Sequence, residues 1–441
     1  MKKTILIVVD GMTPAVFEDA VASGRAPALA ALAEHGSYRR AVSVFPSLTP
    51  VCLSSIVTGT TPREHHIPHL VWWHRAERRL VEYGSSFSAL RAAGMAQAIT
   101  DTIYNMNAQH LSRDVSTLYE TLEARGLVTA AVNITCYRGR TKHLPTLPWV
   151  TKAAYGPQRF FYYSLFESDR TGAPLAVRNR AGGSIDVYAA AVGRWLVTRD
   201  GFDVLAYYLS DFDYASHAHG PEGAADVALD RTDVAIQALV DAAGGLDDFL
   251  DRYDVLLLAD HGQTPVERAV RLETPLAAHA DSVVVAASNR AGQVYLLPDA
   301  RVDAPGVARA LDGAESVEVA LWREGDDAVA RREREELRFR PDGDGWSTSG
   351  DAAILDHPDA LHRAWEALAN PNAGEVLVSA REGFEFVDLG GRHHAGGGSH
   401  GSLVEGDSIV PVLTIGFDAE PRRITEVAPA VVAHATRERV G

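Results

Sequence analysis

Short apolar runs at residues 5–9, 128–132, 204–209, 255–258 and 410–415 alternate with longer helical patterns, and they limit most strongly what this chain can fold into. Runs of that length, rich in Val, Ile and Leu, read as strands covered on both faces. Such strands need helices on either side, so the expected class is α/β, with a mostly parallel central sheet flanked by helices. In sheets of this type the ligand sits beyond the carboxyl ends of the strands. The first run stops at Asp10-Gly11, the third at Ser210-Asp211-Phe212-Asp213 and the fourth at Ala259-Asp260-His261-Gly262. Three strand ends thus deliver carboxylates to one rim.

A chain of 441 residues suits two or three domains, or one large α/β domain carrying an insertion. The character changes between residues 264 and 374, where a Gly/Asp-rich stretch (Asp342, Gly343, Asp344, Gly345) and a charged run over 331–338 occur. Residues 1–263 and 375–441 are therefore expected to form the α/β catalytic core. Residues 264–374 would form a small α+β insertion or cap, with strands near 283–285, 294–297 and 317–319. A net charge of −16 opposes a polyanionic partner and argues against duplex nucleic acid. An acidic protein that handles phosphate must offset charge locally, as divalent cations do. Two cysteines, Cys52 and Cys136, make no disulfide framework and suit a reducing, cytoplasmic setting. The apolar run behind Lys2-Lys3 ends at Asp10 with no small-residue cleavage site, so a strand is expected rather than a signal peptide. The longest apolar stretches are too short for a spanning helix, so no membrane span is expected.

Phe45-Pro46-Ser47-Leu48-Thr49-Pro50 precedes an apolar stretch that ends at Thr58-Gly59. Proline near the first turn and glycine after the last put Thr49 at the N-cap of a helix. Taken alone, Thr49 reads as an ordinary cap. A hydroxyl there also sits among free N–H groups at the positive end of the dipole, which favours an alkoxide and an arriving phosphoryl group. Asp213 and His217 lie four apart at a strand end, Asp260 and His261 are adjacent before Gly262, and His400 sits in a Gly-rich segment. Each has a bland reading as cap, surface histidine or flexible loop. Together Asp10, Thr49, Asp213, His217, Asp260, His261 and His400 form an oxygen- and nitrogen-rich set with no thiolate. Such a set suits zinc first, with manganese or iron as substitutes at one or both positions.

In order and spacing these segments resemble the alkaline phosphatase superfamily, nearest its type I phosphodiesterase/nucleotide pyrophosphatase branch, from Met1 to about Gly416. The resemblance implies an alkaline-phosphatase-like fold. It also implies two zinc ions, one held by Asp213, His217 and His400 and the other by Asp10, Asp260, His261 and Thr49, about 4 Å apart. Thr49 would be the nucleophile, passing through a phosphothreonine intermediate. The implied activity is a phosphodiesterase or nucleotide pyrophosphatase acting on a small molecule. The alternatives are a phosphomonoesterase, which needs a further cationic clamp, a phosphonate hydrolase such as phosphonoacetate hydrolase, and a catalytically silent metal-binding protein. Sulfatases of the superfamily carry a Cys/Ser-x-Pro-x-Arg motif, and neither Thr49 nor Cys52 begins one.

One departure concerns the substrate. Diesterases of this branch typically use an asparagine to donate to a non-bridging oxygen, and Cys52 stands three after Thr49. A thiol is a weak donor, so Asn105 and Asn107 become candidates for that work. His219, His393 and His394 adjoin the metal segments as further substrate or supporting groups. His65, His66, His69 and His74 read as rim or structural residues, Trp72, Trp73 and residues 160–163 as core, and Arg138, Arg140 and Lys142 as a solvated loop. Oligomeric state is not legible.

Overall fold

Ile5 to Val9 are fully buried, and the strand they belong to, Lys3–Val9, lies near the middle of an eight-stranded sheet. The computed structural model describes residues 2–146, 152–169, 171, 172, 175 and 184–437. Across the sheet the order is Ser37–Val42, Ile409–Ile415, Tyr253–Leu258, Lys3–Val9, Val204–Leu209, Thr129–Val132, Arg159–Tyr162 and Phe166–Ser168. The five strands from Tyr253–Leu258 to Arg159–Tyr162 are parallel to one another. Ile409–Ile415 runs antiparallel to Tyr253–Leu258 and to Ser37–Val42, and Phe166–Ser168 runs antiparallel to Arg159–Tyr162. The mostly parallel sheet expected from the apolar runs is therefore a mixed one. Burial on both faces makes a strand apolar whatever its direction, so the run at 410–415 carried no sign of its reversal.

Helices cover both faces, among them Ile185–Thr198 and Leu229–Ala243, which pack against each other, and Thr49–Thr58, buried from Pro50 to Val57. A second, wholly antiparallel sheet has the order Val283–Ser288, Ala291–Leu296, Val376–Ala380, Val317–Glu324, Asp327–Arg332, Glu335–Asp342, Gly345–Gly350. Its alternating faces bury different helices. Val319, Leu321, Ala328 and Ala330 pack with Ala360 and Ala364, whereas Ala320, Trp322 and Val329 pack with Val307 and Leu311. The Gly/Asp-rich stretch forms the tight turn between the last two strands, with Gly343 at φ +57°. Val376–Ala380 lies past residue 374 yet sits inside this sheet. Among the described residues no helix is long and apolar enough to cross a membrane.

Candidate active site and metal centre

The carboxyl ends of three adjacent parallel strands converge, as the doubly covered core requires. Asp10 follows Lys3–Val9, Asp213 and His217 lie on the first turns of the helix Asp211–Val227, and Asp260 with His261 follows Tyr253–Leu258. His400 arrives from the segment after Gly398–Ser399. Close approach is possible because Gly11 has no side chain: a Cβ there would lie 2.9 Å from Asp213 Oδ1. Ligand atoms of Asp213, His261 and His400 fall within 4.8 Å of one another, and so do those of Asp10, Asp260 and His261. His217 Nε2 is 3.4 Å from Asp213 Oδ2. His261 thus belongs to both groups, and its ring stacks on that of His400 at 3.6 Å.

The three imidazoles share one orientation device. His217 Nδ1 donates to the Gly398 carbonyl (2.9 Å), His261 Nδ1 to that of Gly262 (3.0 Å) and His400 Nδ1 to that of Ser47 (2.7 Å). A carbonyl only accepts, so each Nδ1 carries a proton and each Nε2 is left to face the cluster, where it offers a lone pair once it is deprotonated. Asp10 Oδ1 and Asp260 Oδ2 are buried without a hydrogen-bond partner among the described residues. His261 Nε2 lies 3.2 Å from Asp10 Oδ1, and against the effect of burial Asp10 raises the His261 imidazole. Bare nitrogens and orphaned carboxylate oxygens pointing at one another are a donor set that fits divalent cations.

Electrostatics agree. Burial, then Asp213 and Asp260, push Asp10 well above the usual carboxylate range, and burial pushes Asp260 up to about 7. Asp213 also loses solvent on burial, but His217, His400 and His261 around it outweigh that and hold it below its ordinary range. His217 answers in kind: Asp213 overrides burial and raises it to about 9. Burial and the neighbouring His261 hold His400 well below its ordinary value.

Thr49 is the first helical residue rather than the cap; Leu48 caps in extended conformation and its carbonyl accepts from Val51 and Cys52. Freed from capping, the Thr49 hydroxyl lies 3.2 Å from His261 Nε2, at the floor of a cavity of about 440 Å³. The apolar wall of the cavity includes Leu70, Phe87, Leu90 and Met106, and no lysine or arginine is among the described residues lining it.

Cys52 does not reach this cavity. It is fully buried, its sulfur 3.3 Å from Ser43 Oγ, because it sits almost a full turn beyond Thr49 on a helix packed all round. Asn105 and Asn107 also lie elsewhere. Asn105 donates to Asp101 (2.7 Å), and Asn107 bonds Thr135, Tyr137 and Arg138 backbone, both beside a separate cavity. His219 is exposed and outside the cavity. His394 does line it, stacked 4.0 Å over His217 with Nδ1 on the buried Glu385 (3.0 Å). His65 and His69 are buried structural groups, His65 on Ser55 at 3.0 Å. Arg138 is not a solvated loop residue: it is largely buried and paired with Glu120 at 3.2 Å.

Sequence reasoning missed several supporting groups. Tyr208 donates to Asp10, and Gln263 donates to Asp213 while accepting from Ser216. Gln263 follows the His261-Gly262 step directly and was within reach of a local reading; Tyr208, inside an apolar run, was not. Asn289, in the hairpin turn of the second sheet, brings its Nδ2 to 3.2 Å from His400 Nε2 and had no local signal.

A family model described as type I phosphodiesterase / nucleotide pyrophosphatase matches residues 4–403. No curated protein sequence matches the chain. Among solved structures, phosphonoacetate hydrolase from Sinorhizobium meliloti 1021, complexed with phosphonoformate, is similar with a TM-score of 0.64 at 18% identity, over 98% of this chain and 96% of the other. Murine ectonucleotide pyrophosphatase / phosphodiesterase 5 is similar with a TM-score of 0.63 at 13% identity, over 99% of this chain and 95% of the other. An inactive form of that murine protein in complex with AMP gives 0.64. At these identities the likeness is one of fold.

Proposed function

The chain belongs to the type I phosphodiesterase / nucleotide pyrophosphatase family, and from that premise we propose that it is a two-metal phosphodiesterase acting on a small-molecule phosphate ester through Thr49. The observation that carries this reading is the Thr49 hydroxyl, 3.2 Å from the imidazole nitrogen that both ligand groups share. Asp213, His217 and His400 would hold one cation and Asp10, Asp260, His261 and Thr49 the other, with zinc the first choice. Bound there, two divalent cations would supply Lewis-acid stabilisation of the attacking and leaving oxygens.

The chain's own residues do the rest. The helix Thr49–Thr58 presents the hydroxyl in its first turn, at the positive end of its dipole, which favours negative charge on the oxygen and on the bound phosphoryl group. Thr49 Oγ attacks phosphorus; the new P–O bond forms as the bond to the leaving oxygen breaks, the threonine proton goes to solvent and the leaving oxygen takes a proton from water. Water then attacks the phosphothreonine, the P–Oγ bond breaks, and Thr49 recovers its proton. The tautomers of His217, His261 and His400 are held throughout by backbone carbonyls.

A cavity without a described lysine or arginine favours a diester, whose phosphate carries one charge, over a monoester with two. A phosphonate hydrolase is the second reading, favoured by the likeness to phosphonoacetate hydrolase. Its carboxylate-bearing substrate would need a cation that those lining residues do not provide. Both cysteines are buried and unpaired, which suits the cytoplasm.

The test compares matched aryl phosphate mono- and diesters on zinc-loaded protein, with Thr49→Ala as control and metal content measured separately. Diester turnover is expected to be faster, to fall on the order of 10⁴-fold or more in Thr49→Ala, and to accompany about two zinc ions per chain. Monoester preference would overturn the diesterase reading.

A further inference from the structure

We propose that Asn289, delivered by the hairpin of the second sheet, is a catalytic residue that donates an N–H to a non-bridging oxygen of the bound phosphoryl group. The inference rests on the phosphodiesterase reading and adds to it the group that Cys52, Asn105 and Asn107 do not supply. Among the described residues lining the cavity, Asn289 is the sole carboxamide.

Its amide is oriented from both ends. Ser288 Oγ donates to Asn289 Oδ1 at 2.9 Å, which turns the nitrogen toward the site. On the other side, His400 Nδ1 is committed to the Ser47 carbonyl, so His400 Nε2 can only accept, and Asn289 Nδ2 faces it at 3.2 Å. Once His400 Nε2 serves as a ligand, that acceptor is withdrawn. A buried amide N–H₂ is then left facing the cavity and requires a new acceptor beside the His400 ligand position. A non-bridging phosphoryl oxygen fills that need.

The backbone holds the residue firmly. Asn289 is buried at φ +57°, a conformation asparagine tolerates in turns, and its carbonyl accepts from Phe386 N at 2.6 Å. The next residue donates from its backbone to the His400 carbonyl at 2.9 Å, tying the hairpin to the loop that carries the ligand. Turn chemistry accounts for an asparagine in this hairpin. It does not account for an amide aimed at a ligand histidine across 111 residues of sequence.

The test uses Asn289→Gly, which removes the amide and accepts the left-handed backbone, with Asn289→Ala as a second variant. Zinc content, kcat and KM on an aryl phosphate diester, and turnover of the separated diastereomers of its phosphorothioate are measured for each. The expected result is kcat lower on the order of 10²-fold, with zinc content and KM nearly unchanged. The rate penalty for sulfur in one diastereomer should also shrink relative to the wild type, because the donor to that position is gone. Unchanged kcat would overturn the proposal, and so would a rate loss that follows zinc loss, which would make Asn289 a support for His400 alone. If the wild type hydrolyses the diester and Thr49→Ala does not, either failure leaves the diesterase reading standing. A wild type inactive on diesters sinks both.

Discussion

At the rim of the first sheet, Asp10 and Asp260 each keep a buried carboxylate oxygen without a hydrogen-bond partner among the described residues, and imidazole nitrogens face them. Behind the rim, buried charge is handled differently. Arg290 and Asp407, both fully buried, pair at 2.9 Å. Arg290 also donates to the carbonyls of Phe384 (3.1 Å) and Arg381 (3.2 Å), while Asp407 accepts from Thr264 Oγ1 (2.8 Å), Ser402 N (2.9 Å) and Ser402 Oγ (2.6 Å). Both regions bury ions, yet the second satisfies them with the chain's own groups and the first leaves them for something else. A buried polar group that stays unsatisfied costs stability and persists only where another requirement holds it. On the proposed reading the rim is a metal site kept under electrostatic stress, and the Arg290–Asp407 pair is the brace behind it. Asp407 also accepts through its carbonyl from Gly262 N, and Arg290 N holds the His400 carbonyl, so one ion pair secures the loops on either side of the candidate metal centre.

The sharpest way to break this contrast is Arg290→Met. It leaves Asp407 as a buried carboxylate without its cation, and removing one partner of such a pair costs about 3–5 kcal/mol. Urea unfolding of the zinc-loaded variant should show that loss together with weaker zinc retention. A loss under about 1 kcal/mol, within the range of an ordinary surface pair, would show that the hydrogen bonds to Asp407 carry the brace without the arginine.

At the rim the sign should reverse. Asp260→Asn keeps the oxygen that accepts from Gly11 N (3.3 Å) and His261 N (3.0 Å) and replaces the orphaned Oδ2 with a neutral amide. In chelator, where no cation offsets the carboxylates, the variant should be more stable than the wild type by about 2 kcal/mol, the scale of a relieved buried polar group. With zinc added the order should invert and activity collapse. Equal destabilisation in chelator and in zinc would show that Asp260 stabilises the fold without a metal, and the contrast between rim and brace would fail.

How much of this was readable beforehand follows the same division. Asp10, Asp213, Asp260, His261 and Thr49 were legible because each sits at the end of a local pattern, a strand running into a carboxylate or a helix start, and local pattern decides element type. The structure brings them to one rim because adjacent parallel strands end together. The reversal of Ile409–Ile415 was not legible, since an apolar strand reads alike in either direction. Nor was Asn289, whose approach to His400 depends on where the second sheet docks. The Pro/Gly pattern puts Thr49 at the N-cap, one position before its place in the structure as the first helical residue, where its hydroxyl faces His261. Cys52 reads from its place on an apolar helix as a small packing residue more than as a substrate group, and the rotation of that packed helix turns it toward Ser43.

A fourth buried carboxylate falls between the two cases. Glu82, fully buried behind Tyr83 and Gly84 of the cavity lining, accepts from Ser85 N (2.6 Å), Gly84 N (2.7 Å) and Ser85 Oγ (3.0 Å), yet burial still pushes it up to about 7. Hydrogen bonds alone, without a countercharge, thus offset only part of the cost of burying its charge. Because its pKa is higher folded than unfolded, the folded state holds an extra proton between pH 4.5 and about 7. The Glu82 contribution to stability should therefore fall as pH rises through that window and level off above it. Glu82→Gln keeps an acceptor for both backbone N–H groups and removes the titration. Against it, the wild type should lose on the order of 1 kcal/mol of stability per pH unit between pH 4.5 and 7. Urea unfolding of both proteins across that range measures the difference. Parallel profiles would mean that three hydrogen bonds suffice to bury this charge, and that the brace does not need Arg290 for the reason given above.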